Sequence, residues 1–427
     1  MPAVSASLRV RIDLGRLTEL YRKNEILVIL CSTGVMVSAG MNALAPVLPL
    51  FGRTFGVSTT LVGLLIASFG LARVLGDLPS GYLSDRFDTR LLLIGGPLIV
   101  GVSAILAGFA TNFWELTAYR FFQGVGSACY NTAAMITVLG LSTTENRGRI
   151  LGAYHTSLLI GSSLGPAIGG VLGEHVSLRA PFFVYAGMSF LISISIYFRI
   201  ARAGASWANR KRPVPDKPKS APAFLPSLKI CFSNRNFRLV AVITFLLFLT
   251  RIGSRLTILP LFGAEELKLG PSQIGLALAW MGILNFSFLY PAGTLADRWG
   301  RKTLLVPSCL LMALGLLMFG FSYGFWSFMA SATVLGIATG MSGPIPAVYA
   351  ADVVPLNNYG MTMGLFRTFG DLGWMIGPVL LGFISDLGGY GLALQANALL
   401  LFLGITLFAL RAKESITRKG TLKVPDM

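Results

Sequence analysis

Gly81-Tyr82-Leu83-Ser84-Asp85-Arg86 returns 212 positions later as Gly293-Thr294-Leu295-Ala296-Asp297-Arg298. The same register carries Phe113-Trp114 onto Phe325-Trp326. It also carries Gly148, Gly152, Thr156, Gly161, Gly165, Pro166 and Gly170 onto Gly360, Gly364, Thr368, Gly373, Gly377, Pro378 and Gly382. Leu48-Pro49-Leu50-Phe51-Gly52 matches Leu259-Pro260-Leu261-Phe262-Gly263 at a shift of 211. Chance does not hold a register over that length. The chain is one half written twice, in the same orientation.

The solvent of that unit follows from composition. Of 427 residues, 54% are hydrophobic and 12% charged, against about 25% charged in an ordinary soluble domain. So few polar groups cannot cover a water-facing surface, so the outer solvent is read as lipid. A bilayer core of about 30 Å needs about 20 helical residues, each rising about 1.5 Å. Apolar blocks of that length run near 26–50, 60–82, 91–110, 113–137, 150–172 and 181–198, and again near 239–262, 272–293, 303–322, 325–350, 361–384 and 390–410. The expected fold class is all-α integral membrane: twelve transmembrane helices in two pseudo-twofold six-helix bundles. A β-barrel would show alternating strands of about ten residues instead. A parallel repeat places its twofold axis along the membrane normal and the binding site between the halves.

The organisation expected is a cytoplasmic segment 1–25, a bundle 26–199, a central linker 200–238, a second bundle 239–411 and a cytoplasmic tail 412–427. Arg210, Lys211, Arg212, Pro213, Pro215, Pro218 and Pro222 make the linker unfit for an apolar helix. Residues 1–24 are polar and basic, and no cleavable signal is evident.

The net charge of +17 raises the question of nucleic acid. Of 35 Lys and Arg, 27 fall at the termini or in even-numbered connections, and only Arg53, Arg179 and Lys268 lie on the opposite side. That asymmetry is the positive-inside bias, which puts both termini and the linker in the cytoplasm. Basicity therefore reports orientation, not nucleic-acid binding. Cys31, Cys129, Cys231 and Cys309 are scattered, with no spacing for a disulfide framework or a zinc site.

With its two copies, Gly81 to Arg86 resembles the signature loop motif of the major facilitator superfamily, and the resemblance covers the whole chain. The second copy, continuing through Gly300-Arg301-Lys302, fits more fully; the first has Asp88 where the family has glycine. The resemblance implies gating loops at Gly81, Asp85 and Arg86, and at Gly293, Asp297, Arg298 and Arg301. There each carboxylate would meet a helix N-terminus of the other half, where partial positive charge makes the contact favourable and breakable. Gly152, Gly161, Gly165, Pro166, Gly169 and Gly170 look like the family's antiporter-type motif, and Pro46-Val47-Leu48-Pro49 is similar to that of its twelve-helix drug:proton antiporter branch. Arg120-Phe121-Phe122-Gln123-Gly124 resembles the motif whose arginine is implicated in proton coupling. On physical grounds alone, glycines four apart permit close helix packing and proline bends a helix, so a packing role stays open.

An ionisable group at bilayer depth costs roughly 2.5–3.5 kcal/mol on insertion scales, so each one needs a partner or a wet cavity. The spans hold Arg73, Asp77, Arg120, His155, Arg251, Arg255, Arg367 and Asp371, with Glu115 near an interface. Arg73–Asp77 and Arg367–Asp371 are spaced i, i+4 and share a helix face. Asp371 falls near mid-membrane and is the preferred proton carrier. Arg251 and Arg255 have no acid on their own helix; Asp371 or a substrate anion are the candidate partners. His155, with an ordinary pKa of about 6.5, aligns with Arg367 and fits a relay or a packing role. Phe121, Phe122, Trp280, Phe286 and Trp374 are candidates for an apolar pocket.

The reading is a secondary active exporter, exchanging protons for a small amphipathic solute or drug by rocking two bundles about a midplane site. It is expected to work as a monomer in a bacterial inner membrane. An importer or facilitator of organic anions or sugars is the nearest rival. No cofactor or metal is expected, nor an enzyme: there is no Gly-x-x-x-x-Gly-Lys, and the Gly-x-Ser-x-Gly matches at Ser163 and Ser322 lie in or at the end of apolar helices. A transporter-like sensor would carry a soluble signalling domain, for which 200–238 and 412–427 are too short.

Overall fold

In the computed structural model, residues 25–86, 88–142, 146–208, 224–354 and 359–415 are described; for Asp85 and Arg86 this covers the backbone alone. The expected segment 1–25 lies almost wholly outside these residues, as do 209–223 of the linker and most of the tail.

Each apolar block is a helix, and polar residues set the ends. The helices are α1 (Glu25–Arg53, with a turn at 44–47), α2 (Thr59–Arg86), α3 (Thr89–Gly108), α4 (Phe113–Gly140), α5 (Arg147–His175) and α6 (Ala180–Ala208). The second copy gives α7 (Arg235–Glu266), α8 (Pro271–Trp299), α9 (Arg301–Gly320) and α10 (Phe325–Asp352). A continuous helical stretch, Tyr359–Arg411, then bends at Gly388 and Gly389 into α11 (359–387) and α12 (390–411). Gly389 has φ +85°, which favours glycine.

Ten segments among the described residues are long and apolar enough to cross a membrane. The twelve expected from sequence also include α4, a helix of 28 residues, and divide Met361–Arg411 at its bend. The helices also enter the expected linker from both sides. α6 continues to Ala208, and α7 begins at Arg235 because the Asn234 side chain caps it, accepting from the N–H groups of Asn236 (2.9 Å) and Phe237 (3.2 Å). A short helix, Phe224–Ser233, precedes that cap.

The departure at Asp88 has a local cause. Its carboxylate caps α3, accepting from Arg90 N–H at 3.0 Å. At the matching place Gly300 adopts φ +108°, and the start of α9 is capped from a distance, by Glu414 on Lys302 and Thr303 N–H (3.1 Å each). One copy carries its cap in the loop; the other borrows it from the tail.

The cores follow the repeat. One is built almost entirely from the second copy, around Phe237, Phe262, Phe319, Phe328, Tyr349 and Phe408. Two belong to the first copy, around Phe51, Phe182 and Tyr185 and around Tyr130, Tyr154 and Ile192. Among the described residues, Ala45, Val62 and Ile252 cross into the other copy's cluster as buried members, and Leu50, Val57, Leu256 and Trp374 pack against it from across the interface. The outer surface is studded with apolar side chains such as Leu91, Phe109 and Leu410, and Trp114, Trp299 and Trp326 are exposed near helix ends, as expected of a lipid-facing wall with interfacial aromatics.

Candidate functional site between the halves

Two seams join the halves, α2 against α11 and α5 against α8. Glycines make both possible. A methyl on Gly63 would lie 2.2 Å from Pro378 O, and one on Gly170 2.4 Å from Pro271 O. Only a hydrogen fits at either place.

At the end of the bundle away from the linker, charged side chains among the described residues make three contacts across the interface. Asp386, at the end of α11, accepts from the Thr59 and Thr60 N–H groups that start α2, both at 2.8 Å. Glu174, at the end of α5, accepts from Ser272 N–H at the start of α8, at 2.8 Å. Arg53 donates to both Glu265 oxygens, at 2.8 and 3.1 Å. Glu174 and Asp386, Thr60 and Ser272, and Arg53 and Glu265 are each 212 positions apart. The two carboxylate caps are thus twofold mates, and the ion pair joins residues related by the repeat itself. A carboxylate at a helix N-terminus satisfies orphan N–H groups and meets the positive end of the dipole.

Below this closure lies a cavity of about 420 Å³, counted to its open mouth. Met41, Asn42, Phe69 and Arg120 line it from the first half, and Leu256 and Trp374 from the second. Arg120 is 5% exposed. It donates to Gln123 Oε1 at 2.7 Å and stacks 4.7 Å from the Phe69 ring centre.

Towards the linker the interior charges gather on the α2–α11 seam. Arg367 donates to Asp77 Oδ2 across the interface at 2.6 Å, while its Nε lies 3.9 Å from Asp371. Arg73 sits with its guanidinium 5.3 Å from the Trp374 ring centre. The charges expected as two same-helix pairs are therefore shared between halves, because Gly63–Pro378 and Gly70–Trp374 packing brings the two charged faces together. Their repeat mates on the α5–α8 seam are Asn285, Leu289, His155 and Leu159. Four ionisable groups gather on one seam; the other keeps His155, whose side chain is exposed.

Asp371 does not meet Arg251. Arg251 donates to Thr339 O of α10, and Arg255 to Leu278 O of α8, both at 3.0 Å. α7 packs on α11 through Gly253 against Gly377, and residues two apart on a helix point to different sides, so Arg251 is turned away from α11. Both arginines stand on a π-helical stretch, Thr250–Ile258, a distortion frequent at functional sites that the sequence reading did not foresee.

Other expected site residues are placed as follows. Gly161, Gly165 and Gly169 press on α1, where methyls would come within 2.3, 2.5 and 1.7 Å of the carbonyls of Val35, Ala39 and Ala43. Gly170 and Pro166 face α8, and Gly152 faces open space. Asp297 pairs with Arg301, which also reaches Asp352 at 3.4 Å. Among the described residues, the partners of Asp297 and Arg301 lie inside their own half. Gly293 has open space around it and Arg298 is exposed. The Asp85 and Arg86 side chains lie outside the described residues, as does the environment of Gly81. Sequence reasoning missed Arg53, Glu174, Glu265 and Asp386. Aligning loop charges in the 212-residue register would have found them.

The sequence model of the Major Facilitator Superfamily matches residues 30–270 and 243–424. Tetracycline resistance protein, class H, of Pasteurella multocida is 26% identical over 398 residues, covering 91% of this chain and 94% of its own. Quinolone resistance protein NorA of Staphylococcus aureus is 24% identical over 356 residues, covering 82% and 87%. Among solved structures, a D-xylose-proton symporter superposes with a TM-score of 0.72 at 16% identity, over 93% of this chain and 99% of that one.

Proposed function

The chain belongs to the Major Facilitator Superfamily and is a multi-pass membrane transporter, not an enzyme, and we propose that it is a proton-coupled exporter of small amphipathic molecules, drugs among them. Its likeness to two resistance proteins over most of their lengths supports the export direction. The basic loops support a reading with the linker end, and both termini, in the cytoplasm of a bacterial cell, and with the closed far end facing outward. One chain holds both halves and the whole cleft, so the monomer is the working unit. Twelve spans in bundles 26–199 and 239–411 complete this reading.

The observation that carries the proposal is Arg367, shared between Asp77 of the opposite half at 2.6 Å and Asp371 of its own helix at 3.9 Å. An ionised Asp371 competes for the guanidinium; a protonated one does not. A proton on Asp371 therefore strengthens the bond between halves, and its loss draws Arg367 back and frees them. Rocking is coupled to protonation through one side chain.

Proteoliposomes with an imposed pH gradient test this. Asp371→Asn abolishes gradient-driven solute flux while the protein inserts and folds, and Asp371→Glu keeps part of it. Unchanged proton-driven flux in the Asn variant removes Asp371 from the role. The second reading, an importer or facilitator of organic anions or sugars, draws on interior arginines that face no carboxylate. Gradients of both signs, applied in turn, separate antiport, symport and facilitated diffusion.

A further inference from the structure

The described spanning helices place five arginines inside the bundle, at 73, 120, 251, 255 and 367, against two aspartates, 77 and 371. Three of the five donate only to neutral oxygens: Arg120 to Gln123, Arg251 to Thr339 and Arg255 to Leu278. Each of these three also keeps a buried Nε–H with no protein acceptor. Asp77 and Asp371 are both engaged by Arg367 on the α2–α11 seam, and Asp77 Oδ1 is buried without a partner. The interior is thus rich in positive charge and in donors, and short of acceptors.

The excess is sharpest at Arg120, because this side chain is 95% buried and still lines the cavity. Gln123 beside it is wholly buried. Its Oε1 accepts from Arg120, and its Nε2 has no partner. Turning the amide over would set one donor against another, so its orientation is fixed by the arginine. Among the residues that line the cavity, Arg120 alone is charged, and Gln123, buried behind it, offers the guanidinium a neutral oxygen and no countercharge. A guanidinium holds its proton throughout the physiological range, so Arg120 acts here through fixed charge. A cationic solute would add like charge to a buried cation, and an uncharged apolar one would leave that charge uncompensated. A carboxylate, sulfonate or phosphate oxygen meets it, and charge-assisted bonds to a guanidinium are the stronger class. The remaining walls, including Leu48, Ile66, Leu256 and Trp374, suit an apolar or aromatic body.

We propose that this cavity binds an amphipathic organic anion, its oxyanion head held by Arg120, which Gln123 orients from behind, and its apolar body lying against Leu256 and Trp374. The proposal narrows the solute class of the exporter reading, and rests on it only in taking the cleft as the solute's path.

The test uses the full chain in lipid nanodiscs and three matched probes, 2-naphthoate, 2-naphthylmethylammonium and 2-naphthylmethanol, by isothermal titration. The expected result is naphthoate binding about tenfold or more tighter than either other probe. Arg120→Gln should bring naphthoate to the level of the alcohol and leave the alcohol unchanged, and Arg120→Lys should restore part of the preference. A purely structural arginine would lower all three affinities together. Should Arg120→Gln fail to fold, Gln123→Met, which removes the oxygen that orients Arg120 and no charge, is expected to weaken naphthoate about threefold and the alcohol not at all. Equal or tighter binding of the cation or the alcohol to the wild type overturns the proposal. So does naphthoate binding that ignores both substitutions, or no binding of any probe. Direction of transport is read separately: a chain that imports naphthoate keeps this inference and loses the exporter reading, and one that exports only the cation does the reverse.

Discussion

The two ends of the interface are closed by different means. At the far end, two carboxylates cap helices of the opposite half and Arg53 meets Glu265 in a two-pronged pair. At the linker end the described polar contact between halves is Arg367 to Asp77, and the Arg367 side chain is 61% exposed although it bridges the interface. An N-terminal cap contributes about 1 kcal/mol, whereas an exposed ion pair contributes about 0–1 kcal/mol. Among the described residues, twofold-related sequence thus gives a firm clamp at one end and a light catch at the other. A transporter that alternates needs this inequality to be small enough for a proton or a solute to reverse.

Small residues put the comparison under the largest strain. A methyl on Gly169 would press on Ala43 O inside one half, at 1.7 Å; one on Gly63 would press on Pro378 O across the interface, at 2.2 Å. Overpacking of this kind costs typically about 1–3 kcal/mol. Inside a half the strain has no escape, so Gly169→Ala should lower the thermal midpoint. Across the interface it is relieved when the halves part, so Gly63→Ala should leave the midpoint nearer wild type and open the far end. Spin-label distances across that end, beside a melting curve, check both. Equal destabilisation without opening would erase the distinction between the two kinds of seam.

The caps come next. Removing both carboxylate charges, with Glu174→Gln and Asp386→Asn together, costs the far end about 2 kcal/mol. That is roughly a 30-fold shift in population toward the state open at that end. Each single variant should give about fivefold, because the two caps lie on different seams and act independently. A single variant that opens the end as fully as the double one would show the clamp to be cooperative, and its twofold symmetry irrelevant.

Much of this architecture was legible in the chain. Block length gave the helices to within a few residues at most ends, because a bilayer imposes one length on every span. The repeat gave the two halves that the cores follow. Asn234 and Asp88 moved boundaries locally by capping, which hydropathy alone does not register. Of the two i, i+4 pairs, Arg367 and Asp371 do meet, at 3.9 Å, whereas the spacing that joined Arg73 to Asp77 missed that the fold gives Asp77 to Arg367. Spacing on one helix says nothing of a partner 290 residues away. Arg251 was offered Asp371 because their helices are neighbours, but the face it occupies is set by Gly253 and by the π-helical stretch. The far-end clamp escaped notice because Glu174 and Asp386 read as ordinary loop acids until the repeat and the fold are laid side by side.

The smallest effect is expected at the catch. Asp77→Asn removes the carboxylate charge that holds Arg367 across the interface, at a cost of about 0–1 kcal/mol, so the linker end should widen by no more than about fivefold in population. Salt separates this contact from the clamp. Exposed charges are screened within a Debye length of about 8 Å at physiological ionic strength and about 3 Å at 1 M, while a cap bonded to backbone N–H groups keeps its hydrogen bonds. Raising salt on the wild type should therefore reproduce the Asp77→Asn distances at the linker end, and should add nothing further in the variant. The far end should hold its spacing in both. If salt instead loosened the far end first, the ranking of the two closures would be reversed, and Arg367 would be the stronger of the bonds between the halves.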